Sequence, residues 1–130
     1  MSLPRDFLAA RGYLEVARGD RDKGFYLSAC LSAQKAAEVA LQSYVLALGM
    51  DARTESLPLL LAGVPGRTPA LERAGTELER FRVDMSSPYR SAPGPEPAPT
   101  PLAAAGCCEA AEAIVGHVAR LFAGLEGEGE

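Results

Sequence analysis

The sequence predicts an all-α fold, an antiparallel up-and-down bundle of four to five helices. Alanine and leucine are abundant while β-branched residues are scarce, a composition that favours helix over strand. Apolar residues recur at steps of three and four, and no stretch alternates apolar and polar residues as a half-buried strand does. With 130 residues, 48% of them hydrophobic and 23% charged, the chain suits one soluble domain with one core.

The first helix is predicted over residues 4–17. The proline at its start suits the first turn of a helix, and Phe7, Ala10 and Leu14 recur at helical spacing. The charged, glycine-containing stretch RGDRDKG, residues 18–24, then interrupts this pattern. We therefore expect it to form the turn between two antiparallel helices.

The second helix, predicted over residues 23–48, is the most strongly patterned part of the chain. One face carries large residues together with two polar ones: Leu27, Leu31, Gln34, Glu38, Leu41, Val45 and Leu48. Another face carries mainly alanines: Tyr26, Ala29, Ala33, Ala37, Ala40, Tyr44 and Ala47. Two such faces indicate packing on more than one side, with close approach of neighbouring helices along the alanines. We therefore expect this helix at the centre of the fold, ended by Gly49.

Two shorter helices are predicted next. Thr54 or Ser56 can cap a brief helix in the segment SLPLLLAG. Thr68 followed by Pro69 marks the start of a fourth helix, which is expected to end near Asp84. The apolar face of the fourth helix is formed by Leu71, Ala74, Leu78, Phe81 and Met85.

A long proline-rich loop, SSPYRSAPGPEPAPT, separates the fourth helix from the last. Thr100 and Pro101 repeat the Thr-Pro start and open a helix that is predicted to run to residue 123. The apolar face of this last helix is formed by Leu102, Ala105, Cys108, Ala111, Val115, Val118 and Phe122. Residues 1–125 are thus predicted to form the bundle and residues 126–130 an acidic flexible tail.

Charge and hydropathy argue against several classes of protein. The formal net charge of −4 disfavours broad, non-specific binding of nucleic acid. The longest uncharged apolar run, residues 57–65, is too short to cross a bilayer and is broken by prolines and glycine. Arg5, Asp6 and Arg11 interrupt any candidate signal-peptide core. We therefore expect a cytoplasmic protein that has no membrane partner.

Two polar residues stand in the apolar pattern of the second helix. Gln34 and Glu38 are four residues apart and therefore share a helix face. Buried without partners, each would cost about 1–3 kcal/mol. One interpretation is that this buried polar pair bonds across helices or across a dimer seam. The other is that it lines a polar cleft reaching toward Arg53 and Tyr89, whereas Lys35 is expected to point to solvent.

The residue types that most often carry catalysis are few. The sole histidine, His117, lacks the glutamate three residues earlier that a dinuclear carboxylate site requires, and is expected to be a surface or helix-face residue. Cys30, Cys107 and Cys108 have no C-x-x-C spacing and are too few for a disulfide framework. Because adjacent helical residues point about 100° apart, one of Cys107 and Cys108 is expected to be buried and the other not. No metal and no cofactor are predicted.

A scattered set of arginines and one tyrosine are candidates for binding a nucleotide. Arg53 lies ahead of the short helix, Arg82 lies at the end of the fourth, and Tyr89 with Arg90 opens the proline-rich loop. Arginine forks can hold phosphates, and a tyrosine ring can stack on a base. The alternative is that these arginines are ordinary solvated charges, partnered by nearby carboxylates.

The order of these features resembles a known family. The segment GFYLSACLSAQKAAEVALQSYVLALGM is similar to the second helix of HEPN domains, the higher eukaryotes and prokaryotes nucleotide-binding group. The matching residues are Tyr26, Ala29, Gln34, Ala36, Ala37, Glu38, Ala40 and Leu41. RTESLPLLL and SSPYRS fall where members often carry a Thr-His segment and an Arg-Tyr-Pro or Tyr-Arg segment. The similarity spans about residues 3–123.

The resemblance implies a helical bundle that is usually a homodimer and commonly acts beside a minimal nucleotidyltransferase. Some members bind nucleotides, and others are metal-independent ribonucleases that act as toxins. Their activity is attributed to an arginine and a histidine separated by four to six residues, with the arginine holding phosphate while the histidine moves the proton. Here the corresponding positions before His117 hold Glu112, Ala111 and Ala110, so the usual ribonuclease motif is absent.

We therefore expect a HEPN-like dimeric module that binds a nucleotide or serves as an accessory to a minimal nucleotidyltransferase in a toxin–antitoxin-like pair. It is expected to be non-catalytic on its own. Two alternatives stay open: a ribonuclease toxin with a non-standard site that acts on RNA, and a structural helical scaffold for another protein.

Overall fold

The computed structural model describes residues 3–50, 56–81 and 99–128, with side chains described as far as residue 125. These ranges contain five helices and no strand. They are α1 (Arg5–Asp22), α2 (Tyr26–Ala47), α3 (Leu57–Ala62), α4 (Pro69–Glu79) and α5 (Pro101–Glu128). The prediction of an all-α bundle is therefore confirmed.

Helix α2 lies at the centre of the bundle, as its two patterned faces predict. It contacts each of the other four helices, most extensively α1 and α5. Ala29, Ala33, Ala36, Ala37 and Ala40 have no solvent-exposed surface. Side chains this small let the backbones of neighbouring helices approach α2 closely. Close helix packing therefore buries α2 as much as contacts with large apolar side chains do.

One end of the core is closed by aromatic rings from three different helices. The Phe122 ring on α5 meets Phe7 of α1 and Tyr44 of α2 edge-on, with ring centroids 5.4 Å and 5.5 Å apart. Edge-to-face pairs of this kind stabilise a core by about 0.5–1.5 kcal/mol beyond the area that they bury. The three long helices are therefore joined at this end by a shared aromatic contact.

The boundary between α1 and α2 differs from the prediction. Helix α1 continues to Asp22, and the turn is confined to residues 23–25, where Gly24 adopts a φ of 86°. Charged residues are compatible with a helix: Arg18 forms an ion pair with Glu15 within α1 and another with Glu112, which holds this last part of α1 to α5. Assigning the whole of 18–24 to a turn was therefore wrong, because only Gly24 needs a left-handed conformation.

The ends of α2 and α4 also depart from the predicted pattern. The last turn of α2 extends beyond its neighbours, so Ala47 and Leu48 are exposed although they continue the two predicted faces. Helix α4 ends at Glu79 rather than near Asp84. Its apolar face is confirmed at Leu71, Ala74, Leu78 and Phe81, while Met85 lies outside the described residues.

The short helices α3 and α4 begin in different ways. Thr68 caps α4 as predicted, and its hydroxyl oxygen accepts a hydrogen bond of 3.2 Å from the Leu71 amide. Ser56 occupies the N-cap position of α3 without a capping bond from its side chain. The Leu57 amide instead donates to the Glu79 carboxylate at 2.9 Å. A side chain at the end of α4 therefore accepts a hydrogen bond from a backbone amide in the first turn of α3.

Helix α5 is longer than predicted and reaches Glu128, within the segment 126–130 that the sequence predicts as a flexible tail. Leu102, predicted on its apolar face, is 82% exposed because the first turn of α5 lies at the surface. By length and composition the segment Pro101–Leu125 could cross a membrane, with a mean hydropathy of 1.3 over its most apolar 18 residues. The same helix packs against α1, α2 and α4.

Cys107 and Cys108 are both fully buried, so the expectation that only one of them would be buried is wrong. Their side chains do diverge on α5, but this part of the helix is covered on more than one side by α1, α2 and α4. Both directions therefore point into the core. The third cysteine, Cys30 on α2, is also fully buried.

Candidate functional site

The polar cluster on α2 consists of Gln34, Lys35 and Glu38. Gln34 and Glu38 are only 4% and 5% exposed, so the prediction of a buried polar pair is confirmed. The Gln34 amide Nε2 donates to Glu38 Oε2 at 3.4 Å, and the Lys35 Nζ lies 3.6 Å from Glu38 Oε1. The Lys35 side chain is 47% exposed, as expected, yet its ammonium group also forms an ion pair with this carboxylate.

Among the described residues, the polar partners of the pair lie within α2 itself, at spacings of three and four residues. The two interpretations of the sequence, a bond across helices or a dimer seam and a polar cleft reaching toward Arg53 and Tyr89, stay predictions. One turn of helix brings residues at these spacings onto the same face, so Gln34 and Lys35 both reach one carboxylate. The contacts of 3.4 Å and 3.6 Å are longer than strong charge-assisted hydrogen bonds. The carboxylate oxygens therefore retain acceptor capacity for a further donor.

The four candidates for phosphate and base binding, Arg53, Arg82, Tyr89 and Arg90, lie outside the described residues. The polar cleft predicted between the α2 pair and this set involves the same positions. Both therefore stay predictions of the sequence. The described part of the proposed site is the α2 cluster alone.

The only histidine of the chain is engaged in a structural contact. His117 on α5 is half-buried, and its Nε2 lies 2.8 Å from the carbonyl oxygen of Pro65 in the segment between α3 and α4. A carbonyl can only accept, so Nε2 carries the proton in this bond. The fit is close, because a Cβ on Gly66 would lie 3.0 Å from His117 Cε1. His117 thus holds the α3–α4 connection against α5.

A charged cleft between α1 and α5 was not predicted. Its volume is about 440 Å³, and Arg18 crosses it to meet Glu15 at 2.6 Å and Glu112 at 3.1 Å. The hydrogen bond to Glu112 raises the pKa of the Arg18 guanidinium above its ordinary value. Arg18 and Glu112 are 94 residues apart, and nothing in the local sequence of either residue indicates this pairing.

A second surface groove, of about 630 Å³, follows the outer side of α4. Arg73 and Arg80 lie along it together with Glu72 and Glu77, so its charge is mixed rather than basic. Within residues 3–50, 56–81 and 99–125, no three His, Cys, Asp or Glu side chains are grouped closely enough to hold a metal ion. Neither groove therefore defines a phosphate site or a metal site by itself.

Taken together, these features define a class of protein: an all-α bundle whose central helix is packed through alanines and carries a buried amide–carboxylate pair. Residues 7–121 match the HEPN domain. The chain therefore belongs to the HEPN family, a group of helical modules that bind nucleotides or resemble ribonucleases.

Three solved structures share the fold over nearly the whole chain. TT1696 from Thermus thermophilus is 31% identical, with a TM-score of 0.74, and the match covers 89% of this chain and 95% of that one. ST0689, an archaeal HEPN homologue, is 25% identical, with a TM-score of 0.73 and coverage of 89% and 93%. The HEPN domain protein tm0613 from Thermotoga maritima is 26% identical, with a TM-score of 0.73 and coverage of 92% and 98%. Among curated proteins, no match is found.

Proposed function

We propose that this HEPN protein is a cytoplasmic, homodimeric module that binds a nucleotide and serves as the accessory partner of a minimal nucleotidyltransferase, in a toxin–antitoxin-like pair. In this proposal the module binds without cleaving. The observation that carries it is the engagement of His117, the only imidazole of the chain, with the Pro65 carbonyl.

The state of His117 argues against the alternative of a ribonuclease toxin. A phosphodiester-cleaving histidine must present a ring nitrogen to the reacting oxygen, usually beside an arginine that holds the phosphate. Here Nε2 donates to a backbone carbonyl, and the positions where the family motif would place the arginine hold Glu112, Ala111 and Ala110. The fold of the family is present, whereas its usual proton-transfer pair is not.

For nucleotide binding, the proposal assigns the phosphates to the guanidinium groups of Arg53, Arg82 and Arg90 and the base to the ring of Tyr89. Arginine suits this role because its planar fork matches the geometry of phosphate oxygens. The sequence brings these residue types to the segments that flank α3 and follow α4. The proposed ligand is therefore a nucleotide held by charge and stacking.

Calorimetric titration with ATP and with GTP tests the binding. We expect saturable binding that weakens at least tenfold, about 1.4 kcal/mol, in Arg53→Ala and in Tyr89→Ala. Arg120→Ala is the matched control, since Arg120 is an exposed arginine on α5 far along the chain from the proposed site. Absence of binding at millimolar nucleotide would support the scaffold alternative instead.

Incubation of the purified protein with labelled RNA separates binding from cleavage. The proposal predicts intact RNA for both the parent protein and His117→Ala. Cleavage that disappears in Arg90→Ala would establish the ribonuclease alternative and overturn the non-catalytic assignment.

The assembly is tested by light scattering and by co-expression. We expect the mass of a dimer in solution, and co-purification with the product of a neighbouring minimal nucleotidyltransferase gene. A monomer that recovers no nucleotidyltransferase would contradict both parts of the proposed assembly.

A further inference from the structure

The cleft between α1 and α5 has no role in the proposed function. Its volume of about 440 Å³ lies within the range of small-molecule sites. The two helices run antiparallel along it, because Phe7 meets Phe122 toward one end while Arg18 meets Glu112 at the other. Residues at steps of three and four on each helix therefore form its two walls.

Arg11 lies toward the Phe7 end of the cleft and carries a positive charge without an acidic partner. Its guanidinium carbon lies 5.6 Å from the centroid of the Phe7 ring. Phe7 is fully buried and packs edge-on against Phe122, so the ring supports the guanidinium without neutralising it. Among residues 3–50, 56–81 and 99–125, no carboxylate lies within ion-pair distance of Arg11. Its planar fork is therefore available to an anion.

The other end of the cleft has an excess of negative charge. Arg18 meets Glu15 at 2.6 Å and Glu112 at 3.1 Å, so one guanidinium faces two carboxylates. Each carboxylate uses its Oε1 atom in these bonds, which leaves its Oε2 atom as an acceptor. This end can therefore receive a cation that donates hydrogen bonds.

An apolar strip lies between the two charged ends. It is formed by the buried side chains of Leu14 and Val115 and by the half-buried Ala119. Gly116 leaves this part of the cleft open, because a Cβ there would meet only Nη1 of Arg120, at 3.6 Å. Along the cleft a positive group, an apolar wall and a negative group thus follow one another, an order complementary to a molecule with a carboxylate, an apolar body and an ammonium group.

We propose that this cleft binds a small zwitterion, with its carboxylate on Arg11 and its ammonium group between Glu15 and Glu112. The charged side chains of the cleft, two arginines and two glutamates, sum to zero, which matches a ligand that is neutral overall. Arg11 and Glu15 are four residues apart on α1, about 6 Å along the helix axis. An extended dipeptide spans about 7 Å, so a dipeptide with free ends and apolar side chains fits, as does an aliphatic amino acid of similar length. The inference is independent of the proposed nucleotide site.

Calorimetric titration with dileucine and with 6-aminohexanoate tests the proposal. We expect saturable binding of a zwitterion at millimolar concentration. N-acetyl-dileucine lacks the ammonium group and dileucine amide lacks the carboxylate, and each should bind about tenfold more weakly than dileucine. Tighter binding of dileucine would identify a peptide as the ligand class, and tighter binding of 6-aminohexanoate would identify an aliphatic amino acid.

Charge variants assign the two ends of the ligand. Arg11→Ala should bind dileucine and its amide equally, because the group that distinguishes them is removed. Glu15→Gln should lose most of the preference for dileucine over its N-acetyl form, while the glutamine oxygen can still accept the bond from Arg18. Arg5→Ala is the matched control, since Arg5 is an exposed arginine of α1 outside the cleft, and this variant should keep both preferences.

A larger side chain at Gly116 tests the location without changing any charge. Gly116→Leu should weaken the binding of dileucine about tenfold, because the leucine occupies the open part of the cleft. Gly124→Leu on the same helix should bind as the parent does, since a Cβ there meets nothing within 4 Å. Circular dichroism verifies that both variants fold. The proposal is overturned if neither zwitterion binds saturably at millimolar concentration, if the blocked forms bind as tightly as dileucine, or if the folded Gly116→Leu variant keeps the affinity of the parent.

Discussion

Ala37 and Glu38 are neighbours in the sequence of α2, yet they represent two different sides of this helix. On the alanine side, Ala37 and its counterparts at Ala33 and Ala40 have no exposed surface and are enclosed by other helices. On the polar side, Glu38 is almost as completely buried, but its observed polar partners belong to α2 itself. The first side depends on how closely another helix can approach, whereas the second depends on how well a charge is satisfied.

This difference shows that burial alone does not define what a position contributes. The alanine side is sensitive to added volume, because close-packed helices have little space to receive a larger side chain. The polar side is sensitive to the removal of a partner. A buried carboxylate or amide left without a hydrogen bond destabilises the folded protein by more than the hydrogen bond itself stabilised it. The substitutions below distinguish these two kinds of sensitivity.

The largest effect is expected from adding volume on the alanine side. Ala37→Leu should lower the free energy of unfolding by about 3 kcal/mol, since three additional carbon atoms have to enter a fully enclosed contact. Urea denaturation followed by circular dichroism measures the change. Ala47→Leu is the matched control on the same helix, where the alanine is exposed, and it should change stability by less than about 0.5 kcal/mol. A stable Ala37→Leu variant would show that this side of α2 does not pack closely.

Close packing also predicts opposite effects for two helical glycines. A Cβ on Gly75 of α4 would lie 2.5 Å from Leu61 Cδ1, and Leu61 is itself buried, whereas a Cβ on Gly12 of α1 would meet nothing within 4 Å. Alanine gains about 1 kcal/mol over glycine in a helix interior. Gly12→Ala should therefore stabilise the protein by about that amount, while Gly75→Ala should destabilise it by about 1 kcal/mol because Leu61 has to move. Equal stabilisation by both changes in thermal denaturation would contradict the packing of α4 on α3.

A smaller effect is expected at Ser43, which extends the comparison to an unsatisfied polar group. Its hydroxyl is buried and has no hydrogen-bond partner among residues 3–50, 56–81 and 99–125. Ser43→Ala removes this cost and should stabilise the protein by about 0.5–1 kcal/mol. In the control Ser28→Ala, the change removes a hydroxyl that donates to Asp20 at 2.6 Å, so no gain is expected. Loss of stability in Ser43→Ala would indicate that the hydroxyl has a partner.

The sequence predicted the fold class and the burial of α2 because these follow from local periodicity. The same holds for the start of α4, where Thr68 and Pro69 lie next to each other in the chain. Helix ends were less predictable: the stretch 18–24 contains glycine and many charges, but the end of α1 is held to α5 by the bond between Arg18 and Glu112. A contact between residues that are far apart in sequence leaves no periodic signal.

The same contrast between local pattern and long-range contact applies to the candidate site. Burial of Gln34 and Glu38 was predicted from their place in an apolar face, but their mutual bond and the contact with Lys35 depend on side-chain conformations that spacing does not determine. The bond of His117 to the Pro65 carbonyl arises only when distant segments are packed together. The family, by contrast, was recognisable from the residues of α2 because its motif lies within one helix.

A double-mutant cycle on Gln34 and Glu38 tests most directly whether these two buried side chains of α2 are hydrogen-bonded to each other. The measured quantity is the free energy of unfolding of the parent, Gln34→Ala, Glu38→Ala and the double variant, from urea denaturation. If the pair is buried and bonded, the double variant should lose about 1 kcal/mol less than the sum of the two single losses. Additive losses would contradict the account, because they would show that the amide and the carboxylate do not interact in the folded protein.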